Sequence, residues 1–356
     1  MDIAVLGGGN GSLATALDLM EQGHDVRLWR RSAQIVAAMP SSLTLKDHSG
    51  ARAVELAMIT TDLQEAIKGA PLIVCPAPAN AQLDIAARLA PLLSDGQVVY
   101  LPPGTFGSYL MAKAKQDAGN SADVSFAEAG TLPYLTRKHG EDTVAITTRA
   151  SRLPSGVFPL RNRAHALEVI ARAYPSIEDA GDALSGALMN AGPIIHPPLI
   201  LMNAGPIEHF DHWDIHNEGT QPAIRRVTDA LDAERIAVRE ALGYGAPHFP
   251  LSDHYHTDQW MYGNLAHDKL TDSGDWREAL DLTSHRYMRE DVAMGLAFLV
   301  SVADWAGVPC PVARGLLALG SAICGTDFRI EGRTLEGFGL AELSRLEMTS
   351  LLEAGL

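Results

Sequence analysis

The chain is poor in cysteine, in aromatic residues and in positive charge. Three cysteines, Cys75, Cys310 and Cys324, stand among 356 residues. Their odd number and lack of metal-type spacing argue against a disulfide framework and predict a cytoplasmic protein. Lys and Arg total 28 against 43 Asp and Glu, a net charge of −15. Nucleic-acid binders spread basic patches over the phosphate backbone, so this balance excludes that partner. It leaves room for an anionic small molecule, which needs only one or two local cations. Long hydrophobic runs are also missing. The apolar run at 292–303 falls well short of the roughly 20 residues of a membrane span, so no membrane partner is expected. The apolar run at 3–6 follows Met1 so closely that no charged, cleavable leader is predicted. What remains is an acidic chain of enzyme size, long enough for two hydrophobic cores.

The first half alternates strand and helix. Apolar runs at 2–6, 25–29, 71–75, 97–101, 124–127 and 143–148 are separated by helical patterns at 62–68, 79–93 and 106–118. The run at 2–6 leads through a glycine cluster into Leu13, Ala14, Ala16, Leu17 and Met20 at helical spacing, which Gly23 ends. Such alternation means βαβ units on a doubly wound, mainly parallel sheet. After the proline-bearing segment 150–182, strand patterns give way to helical ones at 222–243, 285–306, 311–324 and 339–353. The expected organisation is an α/β domain over 1–182 and an all-α domain over 183–356, with a ligand cleft between them. LMNAGPI occurs twice, at 188–194 and 201–207. Each copy reads as a helix stop, with Asn and Gly suited to a left-handed cap and Pro forbidding continuation.

The glycine cluster carries the clearest chemistry. Gly7-Gly8-Gly9-Asn10-Gly11-Ser12 has the form G-x-G-x-x-S between a strand and an amphipathic helix. That setting is what a dinucleotide site requires: Gly7 for the tight turn, Gly9 for close approach of a pyrophosphate, and the helix amino end to attract it. Ser12 stands where Gly or Ala is usual. An NAD site also places an acid after the second strand, to meet the ribose hydroxyls. Here Trp29 is followed by Arg30 and Arg31. Two guanidinium groups suit a 2′-phosphate, so NADP(H) is the expected cofactor, with NAD(H) second. Pro76, after the third strand, joins the cofactor-contacting set.

In the helical half, His209, His212 and His216 could be spaced for a metal, but Asp211 and Asp214 break any apolar face, so a solvated loop is expected and no metal. His254 and His256 read as surface or cleft wall. His196 differs, lying in the apolar stretch 194–201 before Pro197 and Pro198, which bias it toward an extended or kinked backbone. A histidine there is either a satisfied core group or, with a carboxylate to orient it, a proton-transfer group. Asp291 is a candidate partner at the start of the apolar helix 292–303, where it could equally be an N-terminal helix charge. Spacing alone leaves both readings open.

At this point the sequence resembles the octopine/nopaline/opine dehydrogenase family, almost end to end. The resemblance rests on GGGNGSLA at 7–14, EAGTLPYLTR at 128–137, NAGPIIHP at 190–197, TQPAIRRVTDALDAERIAV at 220–238, HRYMREDVAMGL at 285–296, GVPCP at 307–311 and GRTLEGFGL at 332–340. It implies a Rossmann domain followed by an all-α domain. It also implies a reductive condensation of an amino acid with a 2-oxo acid, through an imine, by a nicotinamide cofactor. Carried over residue by residue, His196 matches the catalytic histidine, Asp291 its acidic partner, and Arg286 the arginine associated with the substrate carboxylate. Glu128 and Thr131, in the loop after the strand at 124–127, are a plausible seat for the amine donor. Family members are commonly dimeric or monomeric, so a homodimer is compatible with the resemblance. The other readings weighed are a 2-oxo-acid or ketopantoate-type reductase on the same fold, and a non-catalytic NAD(P)-binding sensor.

Overall fold

The computed structural model describes residues 1–263 and 266–356. The chain forms two compact units. The first comprises Met1–Ala77, Ala81–Ala187 and Ser350–Leu356, and the second Pro78–Asn80 and Leu188–Thr349. The main division thus falls after Ala187 instead of residue 182. Two short segments also fold with the unit that is remote from them in sequence.

The first unit contains β1 (Asp2–Leu6), α1 (Asn10–Glu21), β2 (Asp25–Trp29), α2 (Ala33–Ala38), β3 (Ser42–Asp47), β4 (Gly50–Glu55), β5 (Met58–Thr60), α3 (Leu63–Ile67) and β6 (Leu72–Val74). It continues with α4 (Gln82–Leu89), β7 (Val98–Leu101), α5 (Gly107–Asp117), β8 (Ser125–Ala129), β9 (Tyr134–His139), β10 (Thr143–Arg149), β11 (Leu153–Phe158), α6 (Arg163–Ala171), β12 (Ile177–Asp182) and α7 (Ala183–Ala187). Eight strands form the main sheet in the order β12-β11-β8-β7-β6-β1-β2-β5. All its pairs are parallel except β8 with β11. Ile3, Val5, Leu72, Val74, Val98 and Tyr100 are fully buried in its core, as near-continuous apolar strands require. Strand β1 lies between β2 and β6, so the chain reverses its winding direction there. The loop leaving β1 occupies that switch point.

A second sheet, β4-β3-β10-β9, was not foreseen from the sequence. Its strand β4 buries only Val54 of six residues, so no apolar alternation marks it. Strands β9, β11 and β12 were missed as well; β11 and β12 lie in the segment expected to lead into the domain boundary.

The second unit is helical: α8 (Gly192–Met202), α9 (Ala204–His209), α10 (Pro222–Ala241), α11 (Ser252–His256), α12 (Ala266–Ser273), a π-helical segment Tyr287–Leu296 continuing into α13 (Ala297–Ala306), α14 (Pro311–Cys324) and α15 (Phe328–Glu331). Helix α16 (Arg345–Ala354) carries the chain from the second unit to the first. One two-residue ladder, β13 (Trp213–Asp214) with β14 (Arg277–Glu278), departs from the all-α expectation among the described residues. Glu234 on α10 accepts the first amides of α14, Val312 at 2.8 Å and Ala313 at 2.9 Å, placing a negative charge at the positive end of that helix.

Both LMNAGPI copies serve as restarts as well as stops. Gly192 opens α8 and Gly205 lies inside α9, and neither has a positive φ. Pro193 and Pro206 sit in the first turn of the new helix, where the missing N–H costs nothing. Helix α8 also runs straight through Pro197 and Pro198, so His196 is helical and neither extended nor kinked out. A proline inside a helix removes an amide bond to the carbonyl four residues earlier. The packing of Pro197, Pro198, Leu199 and Ile200, all buried, outweighs that loss. No helix among the described residues is long and apolar enough to cross a membrane.

Candidate active site

In the first unit, the glycine loop is shaped by close contacts at Gly7, Gly8 and Gly11 and open at Gly9. Gly7 has φ +118°, open to glycine and strained for other residues, and its amide donates to Trp29 O at 2.9 Å. Ser12 is buried and donates its hydroxyl to Leu6 O at 3.2 Å, so the unusual third residue ties α1 back to β1. A Cβ on Gly11 would lie 2.8 Å from Leu132 and 3.3 Å from Pro76, which brings Pro76 against the start of α1. Asn10 accepts the Lys138 amide at 3.0 Å and so anchors the β9–β10 hairpin to the loop. Gly9 caps α1 with extended backbone and no side chain, no acid occupies the first turn, and a Cβ at Gly9 would meet nothing within 4 Å. Uncapped amides beside open space fit a dinucleotide pyrophosphate.

The two arginines after β2 differ from each other. Arg30 is buried, its guanidinium lies against Gly8 and forms an ion pair with Glu141 at 2.7 Å. Arg31 is exposed and reaches Asp84 at 3.4 Å. Of the two guanidiniums expected to face a 2′-phosphate, that of Arg30 is paired inside the protein and that of Arg31 stands at the surface. Lys138 pairs with the same Glu141 at 2.7 Å, a cation the sequence reading missed because it lies more than a hundred residues from the loop.

Glu128 has a different place from the one expected. It is fully buried, and its carboxylate accepts the Phe106 amide at 2.6 Å, the Ser108 amide at 3.3 Å and the Ser108 hydroxyl. It thus stabilises the start of α5 from β8, which corrects its reading as a seat for the amine donor. Thr131 is also buried, close after β8.

In the helical unit, His196 Nδ1 and Asp291 Oδ2 lie 2.7 Å apart, with both side chains largely buried. Asp291 is not at a helix start: the π-helical segment begins at Tyr287, four positions earlier. Two glycines make the approach of the elements possible. A Cβ at Gly192 would overlap the Asp291 carboxylate, and one at Gly295 would overlap the Pro193 ring. Helix α8 and the π-helical segment therefore fit together through reciprocal gaps. Tyr287 stacks on the His196 imidazole, 3.7 Å between centroids and 8° between planes. Its hydroxyl lies 2.7 Å from Nε2 of His216. His216 is buried and edge-on to His196, contrary to the solvated loop expected for it. The Asp214 carboxylate holds the turn that aims it, accepting the His216 and Asn217 amides. His254 is likewise buried, and desolvation pushes it down to about 3. His209, His212 and His256 are exposed. No cluster of three or more metal-ligating side chains occurs among the described residues.

Burial pushes the Asp291 carboxyl up to about 7, against the opposing pull of Arg286. The adjacent Glu290 is also raised to about 7, by burial and then by the Asp291 charge. Glu290 accepts the Ala79 amide at 3.1 Å, while Arg333 donates to Ala79 O at 2.8 Å, so both backbone polar groups of that residue are held within the helical unit. Arg286 lies near Glu290 at 3.5 Å and 5.0 Å from the Tyr287 ring, with about half its side chain exposed. The arrangement sets a carboxyl raised toward neutrality against an imidazole, beside a cation open to an anionic ligand.

Comparison with known proteins agrees with this division of labour. Residues 179–324 match the family described as NAD/NADP octopine/nopaline dehydrogenase, alpha-helical domain, and residues 2–104 match the NAD-dependent glycerol-3-phosphate dehydrogenase N-terminus. The chain is 28% identical to an opine dehydrogenase from Arthrobacter sp. (strain 1C), over 98% of each protein. Its fold is similar to that of an octopine dehydrogenase solved with NADH and L-arginine (TM-score 0.72, 19% identity, 99% of this chain and 98% of that one). It is similar also to a yersinopine dehydrogenase with NADP+ bound (TM-score 0.66, 15% identity, 99% and 98%). The helical residues thus match the octopine/nopaline dehydrogenase alpha-helical domain, and the chain as a whole is similar to an opine dehydrogenase along nearly its entire length.

Proposed function

We propose that the chain is an opine dehydrogenase, joining the amine of an amino acid to the carbonyl of a 2-oxo acid and reducing the resulting imine with NADPH. The observation that carries this reading is the buried 2.7 Å pair of His196 and Asp291, its imidazole stacked on Tyr287 and its carboxyl raised by burial to about 7. Condensation of amine and ketone expels water and leaves a C=N bond. Its carbon takes a hydride and its nitrogen a proton. The glycine loop, Asn10, Ser12 and Pro76 would hold the dinucleotide, which supplies the hydride when bound. The His196 imidazolium, its charge balanced by Asp291, delivers the proton, and the same pair withdraws one in the reverse direction. Arg286 receives an α-carboxylate and fixes the trigonal carbon. Thr131 stays a candidate for the amine donor, while Glu128 supports α5. The preference for NADPH rests on Arg30 and Arg31 standing where NAD-specific sites carry an acid.

The test is a matrix of amino acids against pyruvate, glyoxylate and 2-oxoglutarate, followed by loss of NADPH absorbance. Oxidation only when both an amino acid and an oxo acid are present supports the reading. Oxidation with an oxo acid alone would identify a carbonyl reductase instead, and binding of cofactor with no turnover for any pair would identify a sensor.

A further inference from the structure

The loop between β9 and β10 places Glu141 over the two cations that border the glycine loop. Its carboxylate pairs with Arg30 Nη2 at 2.7 Å through one oxygen and with Lys138 Nζ at 2.7 Å through the other. Both cations also approach Gly8 O, each at 3.4 Å. The cations are the inner members, with side chains 7% and 20% exposed, and Glu141 is the outer one at 50%. Arg30 cannot easily turn elsewhere, because its guanidinium fills the space a side chain at Gly8 would need. The Asn10–Lys138 bond in turn fixes Lys138 to the start of α1. Two inner cations joined by one half-exposed anion are the donor set for a phosphate, held by a carboxylate from the protein itself.

We propose that Glu141 occupies the seat of the adenosine 2′-phosphate of NADP(H), and that Lys138 and Arg30 together bind that phosphate once Glu141 swings aside. The inference rests on the NADPH reading above and deepens it. Glu141 is a specificity-determining residue: it lowers affinity for the 2′-phosphorylated cofactor and leaves the rest of the dinucleotide site untouched. A dianionic phosphate outcompetes a single carboxylate for two cations, so the exchange favours NADP(H) while Glu141 taxes it. When a competent state is populated only in part, apparent affinity falls by that fraction; a pair closed nine-tenths of the time lowers it about tenfold.

Calorimetric titration with 2′,5′-ADP and with 5′-AMP tests this without turnover. E141Q is expected to tighten 2′,5′-ADP about tenfold and to leave 5′-AMP within twofold, whereas K138M weakens 2′,5′-ADP alone. Unchanged binding of 2′,5′-ADP by E141Q, or an equal change for both ligands, overturns the proposal. E141A, checked by its thermal transition, provides the same reading if E141Q folds poorly. Equal affinity of the unaltered protein for the two ligands would sink the NADPH preference by itself. The Glu141 proposal then survives if E141Q gains a preference for 2′,5′-ADP, and falls if it gains none.

Discussion

Replacing Asp291 by Asn separates the proton chemistry of the site from its architecture. Asn keeps the size of Asp291 and can still accept from Nδ1 of His196 across the 2.7 Å contact, so the ring keeps its place between Tyr287 and His216. What disappears is the negative charge facing the imidazolium. With charge centres roughly 4 Å apart and an effective dielectric near 20, that attraction is about 4 kcal/mol. If it is felt only when the imidazole is charged, kcat falls about 10³-fold, within the usual range for a positioned acid or base. Stability moves the other way. The Asp291 carboxyl titrates near 7 in the fold against 3.8 in its ordinary state, so the folded form holds the proton more tightly. A raised carboxyl stabilises fully below its ordinary range, and that contribution is lost as pH rises through about 7. D291N removes the loss, so its melting temperature at pH 8 should equal or exceed that of the parent. The measurements are kcat for the best substrate pair at pH 8 and a thermal melt in the same buffer. A kcat within threefold of the parent refutes the proton-transfer role. A large fall in both kcat and melting temperature would assign Asp291 a structural role.

Three further outcomes follow from the same geometry. G192A inserts a methyl where the Asp291 carboxylate lies, and should lower both kcat and the melting temperature, by about 1–3 kcal/mol in stability; a variant as stable and active as the parent would contradict the tight seam. E290Q removes a second carboxyl held near 7 and should flatten the fall in stability between about pH 4.5 and 7 by up to about 3 kcal/mol, read from denaturant midpoints across that range. An unchanged pH slope would show that Glu290 titrates normally. R286A should raise KM for the 2-oxo acid about tenfold or more with little change in cofactor affinity, in line with the loss of a charge-assisted contact of about 1.5–3 kcal/mol; an unaltered KM excludes Arg286 as the carboxylate partner.

The parts of the molecule legible in the sequence were those with a local physical signature. Buried parallel strands wrote themselves as apolar runs, and the strand–glycine–helix junction marked the nucleotide loop, because a tight turn and close packing restrict the residues there. Strand β4, with one buried side chain in six, left no such pattern, and the second sheet went unseen with it. The π-helical winding at Tyr287–Leu296 was equally hidden, since HRYMREDVAMGL reads as an ordinary amphipathic helix. Sequence context singled out His196 and offered Asp291 as a candidate partner, yet only family resemblance chose between the readings; ninety-five residues of separation carry no local information. His216, Tyr287, Lys138 and Glu141 were missed or misread for the same reason: each matters through a partner far along the chain. Glu128 erred in the opposite direction, a carboxylate taken for a ligand site that in fact holds the first amides of a neighbouring helix.

The tripeptide Pro78–Asn80 has a practical bearing on recombining relatives of this chain. It is encoded between β6 and α4, yet its middle residue is gripped on both sides by Glu290 and Arg333, more than two hundred positions downstream. A chimera spliced at Ala187, trading the nucleotide-binding half for another's, would import a foreign tripeptide to an acceptor and a donor selected for this one. Successful hybrids should therefore be those in which residues 78–80 travel with the helical part.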